Sequence, residues 1–553
     1  MTSEHPPRIR VVSSAKAADT GGIGRASALL ASGTIVSRIL GFVKLIVLAG
    51  MIGAIGNGAD AFALANQLPN TVYVIVAGGI LTAVLVPQIV RASLNADGGA
   101  AYINKLLTLA LLILGATTIV ATLLAPAITG FIGLPLKGDQ LGLAIAFAYW
   151  CLPQIFFYGL YTLLGEVLNA RKSFGPSTWV PVLNNIVAIA GLVVFGLLFG
   201  ADPNGQRSAG AFTPAMIAVL AGSATLGVAA QAVVLFYFWR RTGLRYRPDF
   251  HFRGVGLGTA GKMAGWTFGM LILSTAAGIV ETQVALVATG KASVFVLATA
   301  WLIFMLPHSV ITVSVATAYF TRMSEHASRG MFDLVRTDAS SAIRGTTLMI
   351  VLASAVIAVC AYPFAAVFVR PFEQVQGIGN VIVAFILGLV AFCILFVLQR
   401  TFYALGDTRT PFFFTLFQVV LIVAGVLGCT LLPKEWIAVG IALVVTLSGI
   451  AQTVLAAVLL HRRLGGIDGR RILGSLARYL VAVLLPLALG LALLWLLGGA
   501  REGGFAVSGR LPAILSMILI GVVMSAAYFG MLLLMRSAEL RAVVDPLRAR
   551  LRR

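Results

Sequence analysis

Acidic residues are scarce in this chain. Of 553 residues only 19 are Asp or Glu, against 40 Lys and Arg. Charged residues of both signs make up 11% of the sequence, where a soluble domain carries about 25%. That scarcity excludes an ordinary solvated surface. Cysteine and histidine are few as well, four and five residues. Cys151, Cys360, Cys393 and Cys429 all fall in apolar stretches without metal-ligand spacing, so packing thiols are expected and no metal site. The acids are scattered, and no loop is long enough for a catalytic domain. Both facts count against a membrane glycosyltransferase or polymerase, so no covalent catalysis is expected. The first 25 residues lack the apolar core of a signal peptide, which leaves the first helix itself to direct insertion. The net charge of +21 comes without a soluble basic face or groove-reading elements, so nucleic acid is not an expected partner.

What is present is apolar sequence, 59% of the chain. A spanning helix needs about 20 apolar residues. Fourteen such runs are legible, near 27–54, 60–91, 103–132, 139–169, 178–200, 212–240, 257–289, 292–321, 339–369, 375–403, 411–432, 435–461, 472–499 and 510–535. The expected fold is an all-α integral membrane protein. Threaded through these runs, 31 of the 40 Lys and Arg fall in the tails and in the loops on the N-terminal side. Seven fall in the opposite loops, and Arg38 and Lys44 lie inside the first run. Lys and Arg accumulate on the cytoplasmic side of a membrane, so both termini are expected in the cytoplasm. The excess also suits anionic membrane lipids.

Two hairpins on the basic side look alike. Glu166-Val167-Leu168-Asn169-Ala170-Arg171-Lys172-Ser173-Phe174-Gly175-Pro176 and Arg400-Thr401-Phe402-Tyr403-Ala404-Leu405-Gly406-Asp407-Thr408-Arg409-Thr410-Pro411 each end a helix, turn through polar basic residues and open the next helix near Pro. Pro is tolerated there because its missing N–H has no partner in the first turn. They stand six helices apart. The expected organisation is a disordered tail at 1–26, a first lobe of six helices at 27–241, a basic linker at 242–256, a second six-helix lobe in the same orientation at 257–463, two further helices at 464–536, and a basic tail at 537–553. Parallel halves place a transported molecule between them near the midplane.

Charge inside a spanning helix costs about 2.5–3.5 kcal/mol, so it faces a water-filled cavity or a partner. No carboxylate lies in the first helix to pair with Arg38 or Lys44, and a cavity lined by unpaired cations suits an anion. Arg38 offers a planar fork to phosphate oxygens, and Lys44 a movable point charge. A structural pair of Arg38 with Asp60, and snorkelling of Lys44, are the alternatives. Ser37 flanks the pair. Asp60 opens the second helix, either as a carboxylate favoured by the helix dipole or as a gate. Pro69 and Asn70 lie mid-membrane, where Pro makes a hinge. Glu281 and Glu166 are intramembrane acids that either take up a proton in a transport cycle or form salt bridges, Glu281 with Arg38 or Lys44 across the lobes. His308, after Pro307, reads as a hydrogen-bonded core residue or a proton relay.

With these residues in view the chain resembles the MurJ/MviN family of lipid II flippases, within the multidrug/oligosaccharidyl-lipid/polysaccharide exporter superfamily. The resemblance rests on Ser37-Arg38-Ile39-Leu40-Gly41-Phe42-Val43-Lys44, on Ala59-Asp60-Ala61-Phe62, on Leu68-Pro69-Asn70, on Asn169-Ala170-Arg171 with Pro181-Val182-Leu183-Asn184-Asn185, and on Phe402-Tyr403-Ala404 with Arg400, Asp407 and Arg409. Phe320-Thr321-Arg322-Met323-Ser324 is a weaker match. The family commonly carries Arg and Glu-Gly where this chain reads Tyr73-Val74 and Gly78-Gly79, and an Arg near Leu302. Those charges are missing here, and Lys44 stands where Arg is usual. The resemblance implies a flippase in the bacterial inner membrane that carries undecaprenyl-diphosphate-linked peptidoglycan precursor, lipid II, from the inner to the outer leaflet by alternating access. It also implies an apolar groove on the last two helices for the lipid tail. Partners would be lipid II, membrane lipids and proteins of peptidoglycan synthesis or division. No cofactor is expected, and coupling stays open between proton, sodium and membrane potential. An exporter of another polyprenyl-linked glycan, or a non-transporting scaffold of the cell-wall machinery, is the alternative.

Overall fold

The computed structural model describes residues 20–92, 100–171, 173–241, 246–251, 261–537 and 539–540, in side-chain detail from Ser32 onward except at 77–101, 170, 174 and 261–264. Among these residues there is no β-strand. The first lobe comprises α1 (Thr20–Ile52), α2 (Asn57–Ala92), α3 (Ala100–Leu123), α4 (Ala125–Ile132), α5 (Asp139–Cys151), α6 (Gln154–Ala170), α7 (Phe174–Phe199) and α8 (Pro214–Arg241). The second comprises α9 (Gly261–Val287), α10 (Val294–Pro307), α11 (Val313–Ser328), α12 (Phe332–Val359), α13 (Ala361–Ala366), α14 (Phe372–Ile386), α15 (Leu389–Ala404), α16 (Arg409–Gly428) and α17 (Lys434–Leu464). Two more helices, α18 (Gly469–Leu496) and α19 (Arg510–Leu534), pack on each other and on α12.

Several expected spans are two helices in series. Pro126 follows the break between α3 and α4, and Pro153 sits at the break between α5 and α6. Pro lacks the N–H and clashes with the preceding turn, which is why these spans bend. Pro307 is followed by a π turn, His308–Thr312, that joins α10 to α11. Twelve helices among the described residues are long and apolar enough to cross a membrane, thirteen with the bent pair α14–α15 taken as one span. Fourteen were expected; the second expected run falls on α2, a 36-residue helix.

Small residues set the tightest packing. A Cβ on Gly227 of α8 would lie 2.5 Å from Asn184 Oδ1 and 2.8 Å from the Asn184 carbonyl of α7. Only Gly allows α7 and α8 to come this close, the usual device where lipid supplies no hydrophobic drive between helices. The turn between α1 and α2 uses Gly53 at φ +81°, where a side chain would strike the backbone of Gly205.

Three segments differ from the expected organisation. Helix α1 begins at Thr20, inside the stretch read as a disordered tail; residues 1–19 lie outside the described residues. The linker is docked where it is described. Tyr246 Oη lies 3.1 Å from Thr108 Oγ1, the Asp249 N–H donates to Thr108 Oγ1 (3.1 Å), and Asp249 lies 4.0 Å from Lys105 Nζ. The start of the C-terminal tail is held too. Arg344 Nη1 of α12 donates to Glu539 Oε1 at 2.8 Å, and Ser475 of α18 donates to the same oxygen at 3.0 Å. Burial would raise the Glu539 carboxyl, but hydrogen bonds from the backbone, Arg344, Ser475 and Ser537 outweigh it and hold it at about 2. Charge-assisted bonds of this kind are about twice as strong as neutral ones.

Candidate functional site

A cavity of about 670 Å³ lies between the lobes. Helical periodicity builds its walls. From α2 come Ala63, Asn66 and Gln67; from α9 Ser274, Ala277, Gly278, Glu281, Thr282 and Ala285; from α10 Val294, Leu297, Ala298 and Trp301. Each set follows the i, i+3, i+4, i+7 pattern of one helix face. Leu45 and Leu48 of α1 complete the first-lobe side, and Phe385, Phe392 and Gln418 the second. Glu281 is the one charged side chain among the lining residues.

One end of this cavity is closed by contacts between the lobes. Asp60, 1% exposed, accepts the Phe295 N–H of α10 at 3.3 Å from the first turn of α2. Its carboxylate therefore caps a helix of the other lobe, where the α10 dipole favours it. Gln283 of α9 donates to the Phe131 carbonyl of α4 at 2.8 Å. Both contacts sit at the end opposite the basic loops. Of the two readings for Asp60, the helix-start acid is what this contact shows, at α10 of the other lobe as well as in the first turn of α2. Asp60 does not pair with Arg38.

Arg38 and Lys44 make no hydrogen bond or ion pair among the described residues. Neither lines the cavity. Arg38 stands seven residues before the lining residue Leu45, and Lys44 four before Leu48. They share those faces but lie toward the basic end, about 10 Å along the axis in the case of Arg38 and Leu45. Arg38 is within electrostatic range of His308 of the second lobe. Asn70, exposed, extends the α2 face of Ala63, Asn66 and Gln67 by one turn in the same direction. The formed cavity thus carries an acid, with the two cations outside it toward the basic end, where a cationic cavity was expected. Glu281 makes no salt bridge with Arg38 or Lys44.

The other expected site residues divide between path and packing. His308 is buried between Phe392 (4.8 Å) and Phe396 (4.9 Å), with Cys393 Sγ at 3.6 Å from Nδ1. All four cysteines are free and buried. Glu166 is half-buried on α6 and acts electrostatically on Tyr73, whose hydroxyl donates to Thr162. Ser37 contributes its carbonyl, which accepts Asn185 Nδ2 of α7 at 2.9 Å, and Gly41 faces the same side chain. Pro69 is buried within an α2 that continues through it. Asn169 accepts from Ser177 at 3.1 Å, and Asp407 accepts the Thr410 N–H and hydroxyl at 3.0 and 2.7 Å, so each hairpin is closed by a side chain. Arg171 ends α6 as its C-terminal cap. Arg400 lies over Phe396 and Phe320, and Arg409 over Trp266 and Phe413. Gly78 and Gly79 lie in the part of α2 whose surroundings are outside the described side-chain detail. Arg322 of the weaker motif pairs with buried Asp338 at 2.9 Å. Sequence reading passed over Gln67, Gln418 and the Trp301 wall, although polar residues inside apolar runs were the available signal.

Comparison with known proteins agrees with this architecture. A family model described as lipid II flippase MurJ matches residues 48–532. A probable lipid II flippase MurJ of Rickettsia prowazekii is 25% identical over 415 residues, 72% of this chain and 76% of the relative. Its counterpart in Haemophilus influenzae is 25% identical over 492 residues, 83% and 90% of the two chains. Among solved structures, a lipid II flippase MurJ in an inward closed conformation superposes with a TM-score of 0.69 at 18% identity, over 92% of this chain and all of the other. An inward-facing multidrug resistance MATE family transporter gives 0.61 at 16% identity, covering 78% and 96%. The two solved structures are similar in fold, and the family match spans both lobes: this multi-pass membrane protein belongs to the MurJ family.

Proposed function

We propose that the chain is a lipid II flippase, moving the undecaprenyl-diphosphate-linked precursor from the leaflet at its basic end to the opposite leaflet by alternating access of its lobes. The observation that carries this reading is the interlobe cavity, closed at one end by Asp60 and Gln283, with Arg38 and Lys44, unpaired among the described residues, on α1 toward the basic end. At about 4 Å and an effective dielectric of about 20, one cation–phosphate pair gains about 4 kcal/mol before desolvation. Two such pairs hold a diphosphate without trapping it. The basic end faces the cytoplasm of a bacterial inner membrane, both termini with it, and no covalent step is involved. The lobes divide at 242–256, with 464–536 an appended pair that offers an apolar side to the polyprenyl tail. Proton, sodium or membrane potential drives the cycle, and enzymes of peptidoglycan synthesis or division receive the product. Depleting the protein in a cell without a second flippase, and assaying lipid II at the outer leaflet, tests the reading. Outward lipid II is expected to fall to background; unchanged outward lipid II would defeat it.

A further inference from the structure

The interlobe cavity carries an acid that the diphosphate cannot use. Glu281 is its sole charged lining residue and makes no hydrogen bond or ion pair among the described residues. Trp301, 38% exposed, presents its ring to the same space, backed by Phe385 at 5.7 Å and Phe392 at 5.9 Å between centroids. Gln67, Gln418, Thr282 and Ser274 add neutral hydrogen-bonding groups. An aromatic wall beside an unpaired carboxylate attracts cations, by charge and by the ring quadrupole. A bare metal ion wants about six oxygen ligands, and among the described residues no cluster of three acids, histidines or cysteines exists to supply them. A space of about 670 Å³ suits an organic group.

We propose that this cavity is a subsite for a primary ammonium group, held by the Glu281 carboxylate and the Trp301 ring. Resting on the flippase reading, the substrate group is a free amine on the stem peptide, the pentapeptide of the precursor's disaccharide-pentapeptide head. Arg38 lies about 10 Å along α1 from the cavity-lining Leu45. Two extended peptide residues alone reach about 7 Å, so a sugar and its peptide bridge from diphosphate to cavity. One molecule thereby satisfies both charge zones.

The test uses purified full-length protein in nanodiscs, with lipid II carrying the free amine and the same lipid N-acetylated at that amine. Wild type is expected to bind the free-amine form about tenfold tighter. In Glu281→Gln the two forms bind alike, at the wild-type affinity for the acetylated one; Glu281→Asp keeps the preference, and Trp301→Leu weakens it. Equal binding by wild type, or a preference kept in Glu281→Gln, would overturn the subsite. Unchanged affinity for the acetylated lipid shows that Glu281→Gln is folded. In liposomes, wild type is expected to translocate both lipids. If wild type moves neither lipid, the flippase reading falls and the stem-peptide assignment with it, while hexylammonium binding that requires Glu281 would still uphold the ammonium site.

Discussion

The two halves of the interlobe path carry opposite chemistry. Toward the basic end, Arg38 and Lys44 stand without acids; toward the closed end, Glu281 stands without cations. Elsewhere several described acids near the membrane ends are paired with a base: Asp338 with Arg322, Glu539 with Arg344, Glu373 with Lys291. Pairing is the ordinary fate of charge in a membrane protein, because an unpaired ion in low dielectric is costly. On the proposed function, charges left single on the two sides of one interlobe space are where a ligand completes them.

Removing one zone at a time breaks the contrast most strongly. Arg38→Ala is expected to lower lipid II translocation in liposomes about a hundredfold, since charge-assisted bonds to a buried anion are worth about 1.5–3 kcal/mol. Arg38→Lys should recover part of the loss, and Lys44→Ala should cost less, about tenfold. Normal transport by Arg38→Ala would remove the cationic half of the account. The closed end comes next. Asp60→Ala deletes the cap on α10, and about 1–2 kcal/mol of lost bonding should shift the population roughly tenfold toward opening at that end. Thiol labelling of Ala292→Cys, a position 4% exposed in the closed form, reads the shift; unaltered labelling would deny Asp60 a gating part.

Much of this was legible in the sequence. The apolar runs, the basic asymmetry and the paired hairpins gave helix placement because each reports a local cost of leaving polar groups in lipid. Arg38 stood out for the same reason. Glu281 was visible as an intramembrane acid, but its cavity was not, since which face of α9 meets α2 and α10 depends on tertiary packing. The Trp301 wall was hidden because an aromatic in an apolar run ordinarily packs or faces lipid. The Glu539–Arg344 pair was hidden by distance, 195 residues apart in the chain, within a tail whose other charges are all Arg apart from Asp545.

Paired charges outside the path provide the smaller effects. Glu539 has its carboxyl depressed to about 2 from an ordinary 4.5. A depressed acid contributes its docking energy above the ordinary value and loses it as pH falls toward the depressed one. Protection of Ser537, Glu539 and Leu540 from hydrogen exchange should therefore hold at neutral pH and fade only between about pH 4.5 and about pH 2. Fading near pH 6 would contradict the pairing. Lys291→Ala, which breaks exposed pairs with Glu373 and Glu435, should change stability by less than about 1 kcal/mol. A larger shift in the unfolding midpoint would mean that this end is held by charge.

The most direct test of the path is where the head of the substrate touches the protein. With a photoreactive residue at Gln67 or Asn70, on the path face of α2, and a control at Leu197, 80% exposed on α7, head-labelled lipid II should be captured at the first two and not at the third. Capture at Leu197 alone, with both path positions silent, would contradict passage between the lobes.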